Sequence, residues 1–258
     1  MKVLLVLSHP EPRSLICSLH KLIRDELEQQ GHETQTSDLY RMKWKSHVDR
    51  DDFTDLATDA RLKITTASSS SYASDSLTED VKTEQTKILW ADTVIFVFPI
   101  WWFGFPAILK GWIDRVFTGG LAYNIRQPDQ KQQTSRGRRC LEGKRAMLVT
   151  TLGGQESAYS ARGYQGPIDD ILFPIHHGVL HYPGFQVLRP IVVFQADSLD
   201  EAGFDLLATE VRERMQNLGS TAPIPYRAYK GGDYLTPDMT LRDGLGREGA
   251  VGFALHVE

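Results

Sequence analysis

Short apolar runs alternate along the chain with longer segments in which apolar residues recur every three or four positions. The run "KVLLVLS" near the N-terminus is typical of a strand buried on both faces of a parallel sheet. In the next segment, apolar residues recur at helical spacing between Ser14, a favourable N-cap, and Gly31, which ends the helix. The chain therefore begins with a predicted strand and a predicted helix.

The same alternation continues to about residue 218. It predicts further strands at 32–39, 93–98, 145–151 and 187–194, and further helices at 79–91, 106–117, 168–181 and 200–218. Strands that alternate with helices form right-handed βαβ units. We therefore predict an α/β fold in which a doubly wound parallel sheet carries helices on both faces.

Three regions break this pattern. Residues 65–76 are rich in serine and predict a surface loop, and residues 126–140 form a polar, locally basic loop. From about residue 220 the chain is rich in Gly, Pro and Tyr, too apolar for a free tail and too broken for another βαβ unit. We predict one domain at 1–219 and an extension at 220–258 that packs on the domain or across a dimer.

Composition excludes several classes of partner. The chain has 258 residues and a net charge of −4, so it carries no basic excess for nucleic acid or an anionic membrane. Cys17 and Cys140 are its only cysteines and suggest no disulfide framework, which favours the cytoplasm. Residues 93–113 are nearly uncharged, but Pro99 and Pro106 predict strand, loop and helix instead of a membrane span.

Three unusual loops follow predicted strands, and the carboxyl ends of parallel strands meet at one edge of a sheet, where ligands bind. The first, "SHPEPRS", lacks the glycine motif of dinucleotide-binding Rossmann domains. Ser14 and the helix that it begins could receive a phosphate, with His9 and Arg13 as further donors. The alternative is a simple N-capped helix.

The second loop, "PIWWFGFP", places Trp101, Trp102 and Phe103 where a flat aromatic ligand would stack on them. The alternative is that these rings belong to the core or to a subunit interface. The helix after this loop has large apolar residues that we interpret as structural, including Trp112 and Phe117.

The third loop, "TTLGGQESAY", offers hydroxyls and close backbone approach. Gly153 and Gly154 let a ligand approach the main chain, and Thr150 and Thr151 precede them. Tyr159 could donate a phenolic hydrogen bond to the same ligand, or it could cap the following helix.

Three segments match a known family in order and spacing: "FPIWWFGFPAILKGWIDRVFTGGLAY", "TTLGGQESAYSARGYQG" and "FPIHHGVLHYPGFQVL". From Met1 to about Leu218 the chain resembles the NAD(P)H:quinone oxidoreductases, the DT-diaphorase-like flavoproteins with a flavodoxin-like fold. The resemblance implies a homodimer with FAD at each subunit interface. It also implies ping-pong, two-electron hydride transfer from NAD(P)H through the flavin to a quinone.

The resemblance also implies roles for individual residues. The expected flavin contacts are His9, Ser14, Leu15, Ile16, Pro99, Ile100, Trp101, Trp102, Phe103, Thr150, Thr151, Gly153, Gly154 and Tyr159. The expected catalytic groups are Tyr159, Gln165, Gly153 and Gly154. The substrate slot would be bordered by Tyr123, Ile125 and, from the second subunit, Tyr182.

Several positions depart from the family. Gln165 stands where a relative has His, and a neutral amide cannot store a proton as imidazolium does. Phe204 replaces an Arg that reaches the adenine-diphosphate end, so FMN is an alternative to FAD. His177 and His181 match two metal ligands of a relative, but the tail has no Cys to complete the site, and we expect no metal.

Three other functions remain compatible with these residues. The first is an azo- or nitro-compound reductase on the same fold. The second is an accessory flavoprotein that regulates a membrane transporter, and the third is a one-electron carrier of the flavodoxin kind. The physiological quinone and the choice between NADH and NADPH stay open, although the cations of the 126–140 loop could meet a 2′-phosphate.

Overall fold

The computed structural model describes residues 1–123, 141–229 and 231–258. The strands are β1 (Lys2–Leu7), β2 (Glu33–Asp38), β3 (Thr93–Pro99), β4 (Arg145–Thr151), β5 (Gln186–Val187), β6 (Ile191–Val193), β7 (Tyr234–Leu235) and β8 (Thr240–Leu241). The α-helices are α1 (Leu15–Gln29), α2 (Ile64–Ala73), α3 (Glu79–Trp90), α4 (Ala107–Val116), α5 (Ile168–Phe173) and α6 (Glu201–Gln216). A π-helix spans Pro174–His181, and short 3-10 turns lie at Arg50–Asp52, Glu156–Tyr159, Ala196–Ser198 and Gly252–His256. Among these described helices, none is both long enough and apolar enough to cross a membrane.

The main sheet is parallel, with strand order β2-β1-β3-β4, and both β5 and β6 pair with β4. Leu7, the last residue of β1, pairs with Asp38 at the end of β2 and with Val97 near the end of β3. The carboxyl ends of these strands therefore lie at one edge, and the predicted doubly wound sheet is confirmed.

Two apolar layers cover the two faces of the sheet. One layer joins residues of β1 such as Leu5 to α1 and α6, and the other joins β3 to α3 and α4. Trp112 and Phe117 lie in the second layer, 0% and 9% exposed, which confirms that they are structural. The Trp112 indole N–H donates to the buried Glu84 carboxylate at 2.8 Å, so its polar atom has a partner in the core.

The predicted surface loop at 65–76 is wrong, because most of this segment forms α2. Within the helix, the Ser69 hydroxyl donates to the Thr65 carbonyl oxygen at 2.9 Å. Ser68 and Ser71 are buried, and their hydroxyls have partners outside the helix. Serine favours loops when its hydroxyl competes for the local backbone, and here tertiary partners engage the buried hydroxyls.

Two predicted elements are present but interrupted. The strand at 187–194 is divided into β5 and β6, with Pro190 between them, because proline has no N–H for the ladder. The helix at 168–181 changes from α to π winding at Pro174. At its end the Tyr182 N–H donates to the His177 carbonyl oxygen, five residues earlier, at 2.9 Å.

The C-terminal extension folds back on the domain. The Phe253 ring stacks on Phe173 of α5 with centroids 4.1 Å apart, and Tyr226 packs edge-on against Phe173 at 6.1 Å. Within the extension, β7 and β8 form an antiparallel hairpin, and the Tyr234 hydroxyl lies 2.8 Å from His256 Nδ1. The division at residues 219 and 220 stays a prediction. The basic loop at 126–140 and Ile125 lie outside the described residues.

Candidate active site

Backbone hydrogen bonds continue past the strand ends and hold the three predicted loops at one edge of the sheet. Ser8 N–H donates to the Val97 carbonyl at 3.0 Å, and Ile100 N–H donates to the Thr151 carbonyl at 2.8 Å. Leu152 N–H donates in the same way toward β6. The expectation that the loops after β1, β3 and β4 open on one edge is confirmed.

The loop after β3 forms a tight aromatic turn. Trp101 and Gly104 exchange two backbone hydrogen bonds, at 3.2 and 3.1 Å, so that Trp102 and Phe103 occupy the two central positions. Both central residues have positive φ, 49° and 60°. This left-handed conformation costs a residue other than glycine about 1–2 kcal/mol. The Trp102 side chain is 97% exposed and Phe103 is 51% exposed, so burial within the described chain does not offset this cost.

Exposed aromatic rings on a strained backbone indicate contact with a ligand or a partner. Placement in the hydrophobic core, one of the alternatives for this turn, is therefore excluded for Trp102. Trp101 is 40% exposed, and its ring centroid lies 6.1 Å from that of His9. The loops after β1 and β3 thus present aromatic surface to the same space.

In the first loop, His9 Nδ1 lies 3.1 Å from the Glu11 backbone N. If Nδ1 accepts this hydrogen bond, a neutral imidazole carries its proton on Nε2 and can donate there. The Ser14 hydroxyl accepts from Cys17 N–H at 3.3 Å, so Ser14 acts as the N-cap of α1. Its own hydroxyl proton is still a potential donor.

Arg13 is a weaker anion ligand than the sequence suggests. Its side chain donates to the Glu11 carboxylate at 3.0 Å, and its backbone N–H donates there at 2.9 Å. The Arg13 side chain is the main cause that lowers the pKa of Glu11, so this carboxylate stays ionised beside the guanidinium. A phosphate at this loop would share Arg13 with Glu11.

The two glycines of the third loop differ in what surrounds them. A Cβ on Gly154 would lie 2.7 Å from a ring carbon of Tyr159 and 2.9 Å from its hydroxyl oxygen. A Cβ on Gly153 would meet only Asp197 Oδ2, at 3.6 Å. A side chain at Gly154 would therefore displace the Tyr159 ring, whereas Gly153 leaves its backbone open. The Tyr159 ring also packs against Phe194, with centroids 5.6 Å apart.

Two buried hydroxyls at this edge have no hydrogen-bond partner in the described part of the chain, Ser8 Oγ and Thr150 Oγ1. An unsatisfied buried polar atom costs about 1–3 kcal/mol. Ser8 follows β1, and Thr150 is the second-last residue of β4. Together with the exposed rings, these hydroxyls fit a bound group that carries both a flat ring and polar edges.

The predicted substrate residues lie in different settings. Tyr123 is half-buried, and its hydroxyl lies 2.8 Å from Ser68 Oγ of α2, a contact that sequence reasoning missed. Tyr182 follows the π-helix and is 50% exposed. Gln165 N–H donates to the Ala158 carbonyl at 2.9 Å and closes the loop after Tyr159. The predicted roles of these side chains stay predictions.

Comparison with known proteins decides the family. The family model for the flavodoxin-like fold matches residues 1–215. The chain belongs to this family. The flavodoxin-like strand order and the site at the carboxyl edge of the sheet agree with that assignment.

The flavodoxin-like relatives of the chain include dehydrogenases and a quinone reductase. A ribosyldihydronicotinamide dehydrogenase-like protein of Penicillium crustosum is 52% identical over 257 residues, which cover 99% of this chain and 95% of the relative. The NAD(P)H dehydrogenase (quinone) 1 of Cavia porcellus is 35% identical over 224 residues, 86% of this chain and 79% of the relative. A structure from Klebsiella pneumoniae described as a candidate quinone reductase has a TM-score of 0.93 and 47% identity, with full coverage of both chains. The resemblance predicted from the motifs is confirmed.

In this flavodoxin-like chain, His177 and His181 of the π-helix belong to an aromatic cluster. His177 stacks on Phe173 with centroids 4.6 Å apart and lies 5.3 Å from the His181 ring. Burial is the main cause that lowers the pKa of His177 to about 4, and the charges of His181 and His256 act in the same direction. Across residues 1–123, 141–229 and 231–258, no three His, Cys, Asp or Glu side chains converge as metal ligands would.

Proposed function

We propose that this protein is a flavin-dependent NAD(P)H:quinone oxidoreductase that works by a ping-pong, two-electron mechanism. The observation that carries the proposal is the exposed, strained turn at Trp102 and Phe103, beside the open backbone of Gly153. The names of the relatives, which include a quinone dehydrogenase, support the same chemistry.

When bound, a flavin would supply a ring that accepts hydride from a reduced nicotinamide and passes it to a quinone. The residues that would hold it are those of the three loops: His9 and Ser14 in the first, Trp101 to Phe103 in the second, and Thr150 to Gly154 in the third. Their exposed rings and unsatisfied hydroxyls fit a planar group with polar edges.

Tyr159 is the leading donor of the site. Its ring is fixed between Gly154 and Phe194, so its hydroxyl is positioned before any reaction begins. Fixed donors stabilise negative charge that develops in a transition state, because they need not rearrange. The side chain of Gln165 can add a hydrogen bond but cannot store a proton, so we do not assign an imidazole relay to this enzyme.

We propose FAD as the cofactor, with FMN as the alternative because Phe204 replaces a family arginine. The exposed Trp102 and Tyr182 are compatible with a homodimer in which two chains enclose each flavin. A cytoplasmic location, expected from the two cysteines, is part of the same proposal.

The experiment that tests the proposal identifies the small molecule that the purified protein releases on denaturation, by absorption spectrum and mass. Steady-state rates with NADH, NADPH and ribosyldihydronicotinamide would then be measured on quinones and on azo dyes. Parallel lines in double-reciprocal plots, and faster turnover of quinones than of azo dyes, are expected. A protein that stays colourless after incubation with excess FAD or FMN would contradict the proposal.

A further inference from the structure

A cavity that the sequence did not predict lies beside α1, between β1 and β2. Its volume is about 700 Å³, within the range of pockets that bind small organic molecules. In the strand order β2-β1-β3, the candidate active site lies on the β3 side of β1 and this cavity lies on the β2 side. Among the described residues, none of β3, β4 or α6 lines it. The cavity is therefore a separate site that shares only the loop after β1.

One wall of the cavity is apolar. It is formed by Leu7 at the end of β1, Pro10 and Pro12 in the loop that follows, and Cys17 on α1. Tyr40 adds a half-buried ring from the turn after β2. Burial raises the pKa of the Tyr40 phenol, which stays uncharged near neutral pH. A flat, apolar group of a ligand can lie on this wall.

The part of the lining that His20 and Thr36 form is polar but uncharged. His20 is 7% exposed, and its Nε2 lies 3.2 Å from Thr36 Oγ1. Its Nδ1 has no hydrogen-bond partner in the described part of the chain. Burial, with a contribution from Arg24, lowers the pKa of His20 to about 4, so the imidazole is neutral near neutral pH. The ring can therefore form a hydrogen bond with a ligand without adding charge.

Two opposite charges, Asp38 and Arg41, line the same cavity. Asp38 Oδ1 accepts the Arg41 backbone N–H at 3.1 Å, which leaves Oδ2 to accept from a ligand. The Arg41 side chain is exposed, and within residues 1–123, 141–229 and 231–258 neither side chain forms a salt bridge. Arg24, the third charged residue of the lining, already pairs with Asp25 at 2.8 Å. The cavity therefore presents one negative and one positive group that do not neutralise each other.

We propose that this cavity binds a free α-amino acid with an aromatic or large apolar side chain. The ammonium group of the ligand donates to Asp38 Oδ2, and its carboxylate accepts from the Arg41 guanidinium. Its side chain lies against Pro10, Pro12 and Tyr40. A zwitterion meets both charges of the cavity with charge-assisted hydrogen bonds, which are stronger than those between neutral groups.

A free amino acid fits better than related ligands because it carries both charged groups on one carbon. In a longer peptide the ammonium and the carboxylate belong to different residues, so either end offers only one of the two charges. An apolar acid or amine likewise leaves one charge of the cavity without a partner. Because the cavity and the candidate flavin site lie on different sides of β1, this inference does not depend on the proposed function.

L-Phenylalanine and two analogues that each lack one charge test the requirement for a zwitterion. N-Acetyl-L-phenylalanine lacks the ammonium group, and L-phenylalaninamide lacks the carboxylate. Each compound is titrated by calorimetry into the full-length protein in the presence of excess FMN, which occupies the candidate flavin site. We expect saturable binding of L-phenylalanine and about tenfold weaker binding of each analogue, as for the loss of one charge-assisted hydrogen bond. No detectable binding of L-phenylalanine, or equal binding of all three, would overturn the proposal.

Asp38→Asn and Arg41→Gln assign each charge of the ligand to one residue. Asp38→Asn keeps a side-chain oxygen for the Arg41 N–H but removes the negative charge. L-Phenylalanine should bind this variant about tenfold more weakly, whereas N-acetyl-L-phenylalanine, which has no ammonium to lose, should not. Arg41→Gln should weaken L-phenylalanine in the same way and leave L-phenylalaninamide unchanged. If both variants bind L-phenylalanine as tightly as the original protein, the proposal is wrong.

The matched control is Lys43→Gln. Lys43 is an exposed cation two residues beyond Arg41 in the same turn, and it does not line the cavity. Arg41→Gln and Lys43→Gln each remove one positive charge from the same region, so a general change of the electrostatic field affects them equally. L-Phenylalanine should bind Lys43→Gln as it binds the original protein. Equal losses in the two variants would overturn the assignment of Arg41.

Cys17 locates the ligand without any substitution. Its thiol is free and lines the cavity, so iodoacetamide can alkylate it when no ligand is bound. Saturating L-phenylalanine should slow the alkylation of Cys17 several-fold, as measured by mass spectrometry of the peptide that contains this residue. Alkylation that proceeds at the same rate with L-phenylalanine bound would place the ligand elsewhere and overturn the proposal. A protein that binds L-phenylalanine as expected but reduces no quinone would contradict the proposed function alone.

Discussion

At the scale of single residues, the left-handed backbone of the aromatic turn costs free energy that no contact of the Trp102 ring within the described chain offsets. Trp102 has a left-handed backbone and a ring that is almost entirely exposed. Such strain persists only where the surrounding structure imposes it, here through the paired hydrogen bonds of Trp101 and Gly104. A stacked ligand would offset the cost, which connects a backbone angle directly to function.

Replacing Trp102 separates strain from binding. Trp102→Gly and Trp102→Ala both remove the ring, but only glycine adopts positive φ without the Cβ penalty. The glycine variant should therefore be more stable than the alanine variant by about 1 kcal/mol. Both should bind flavin about tenfold more weakly, since aromatic stacking is lost in each. Urea unfolding and flavin titration measure the two quantities, and equal stabilities would show that the turn is not strained.

Tyr159→Phe tests the proposed donor. The substitution keeps the ring between Gly154 and Phe194 and removes only the hydroxyl. The rate of flavin reduction by NADPH, measured by stopped flow, should fall roughly 10²-fold, as on removal of one positioned donor. Tyr164→Phe is the control, because Tyr164 is 95% exposed. A rate equal to that of the control would remove Tyr159 from the mechanism.

At the scale of elements, α2 connects the fold to the candidate site. Ser68 is buried on this helix, and its hydroxyl oxygen contacts the Tyr123 hydroxyl at 2.8 Å and the Gly119 N–H at 3.3 Å. Ser71, one turn along, donates to Asp55 at 2.7 Å instead. The two serines are equally buried but serve different neighbours, so Ser68 is a positioning residue for Tyr123.

Ser68→Ala and Ser71→Ala form a matched pair of variants. Each removes a buried hydroxyl and should lower the free energy of unfolding by about 1 kcal/mol. If Tyr123 borders the quinone slot, only Ser68→Ala should raise KM for the quinone, several-fold with little change in kcat. Ser68→Thr keeps the hydroxyl, and the folded variant should have the quinone KM of the original protein. Equal KM values in the two alanine variants would contradict a positioning role for Ser68.

Periodicity alone predicted most elements of the sheet, because buried parallel strands and amphipathic helices leave strong patterns. It failed where tertiary contacts decide the local structure. α2 looks like a loop in sequence, since the partners of Ser68 and Ser71 lie far away at Tyr123 and Asp55. For the site, the three loops were predicted from strand ends, whereas the left-handed turn at Trp102 and Phe103 was not, because neither residue type favours positive φ.

At the scale of the whole molecule, the fold buries several histidines in their neutral form. His20, on α1, is 7% exposed, and His176, in the π-helix, is 1% exposed. Burial is the largest cause that lowers the pKa of each to about 4, from an ordinary value near 6.5. Protonation of either would place a charge in a poorly solvated environment.

These histidines predict loss of stability in mild acid. The unfolded chain takes up protons on them near pH 6.5, but the folded chain does so only near pH 4. Between these values the unfolded state binds more protons, so the free energy of unfolding should decrease as pH falls, by about 1 kcal/mol per pH unit for each fully effective histidine. His177 acts in the same direction but less strongly, because it is more accessible to solvent.

Urea unfolding at several pH values between about 7 and about 5 measures this slope. His176→Leu removes one buried imidazole whose Nε2 has no hydrogen-bond partner in the described part of the chain, so the slope should become shallower. Leu206→Ala is the control, since Leu206 is 76% exposed and carries no titratable group, so it should leave the slope unchanged. If His176→Leu has the slope of the original protein, acid sensitivity arises from other groups, and the neutral state of His176 contributes nothing to it.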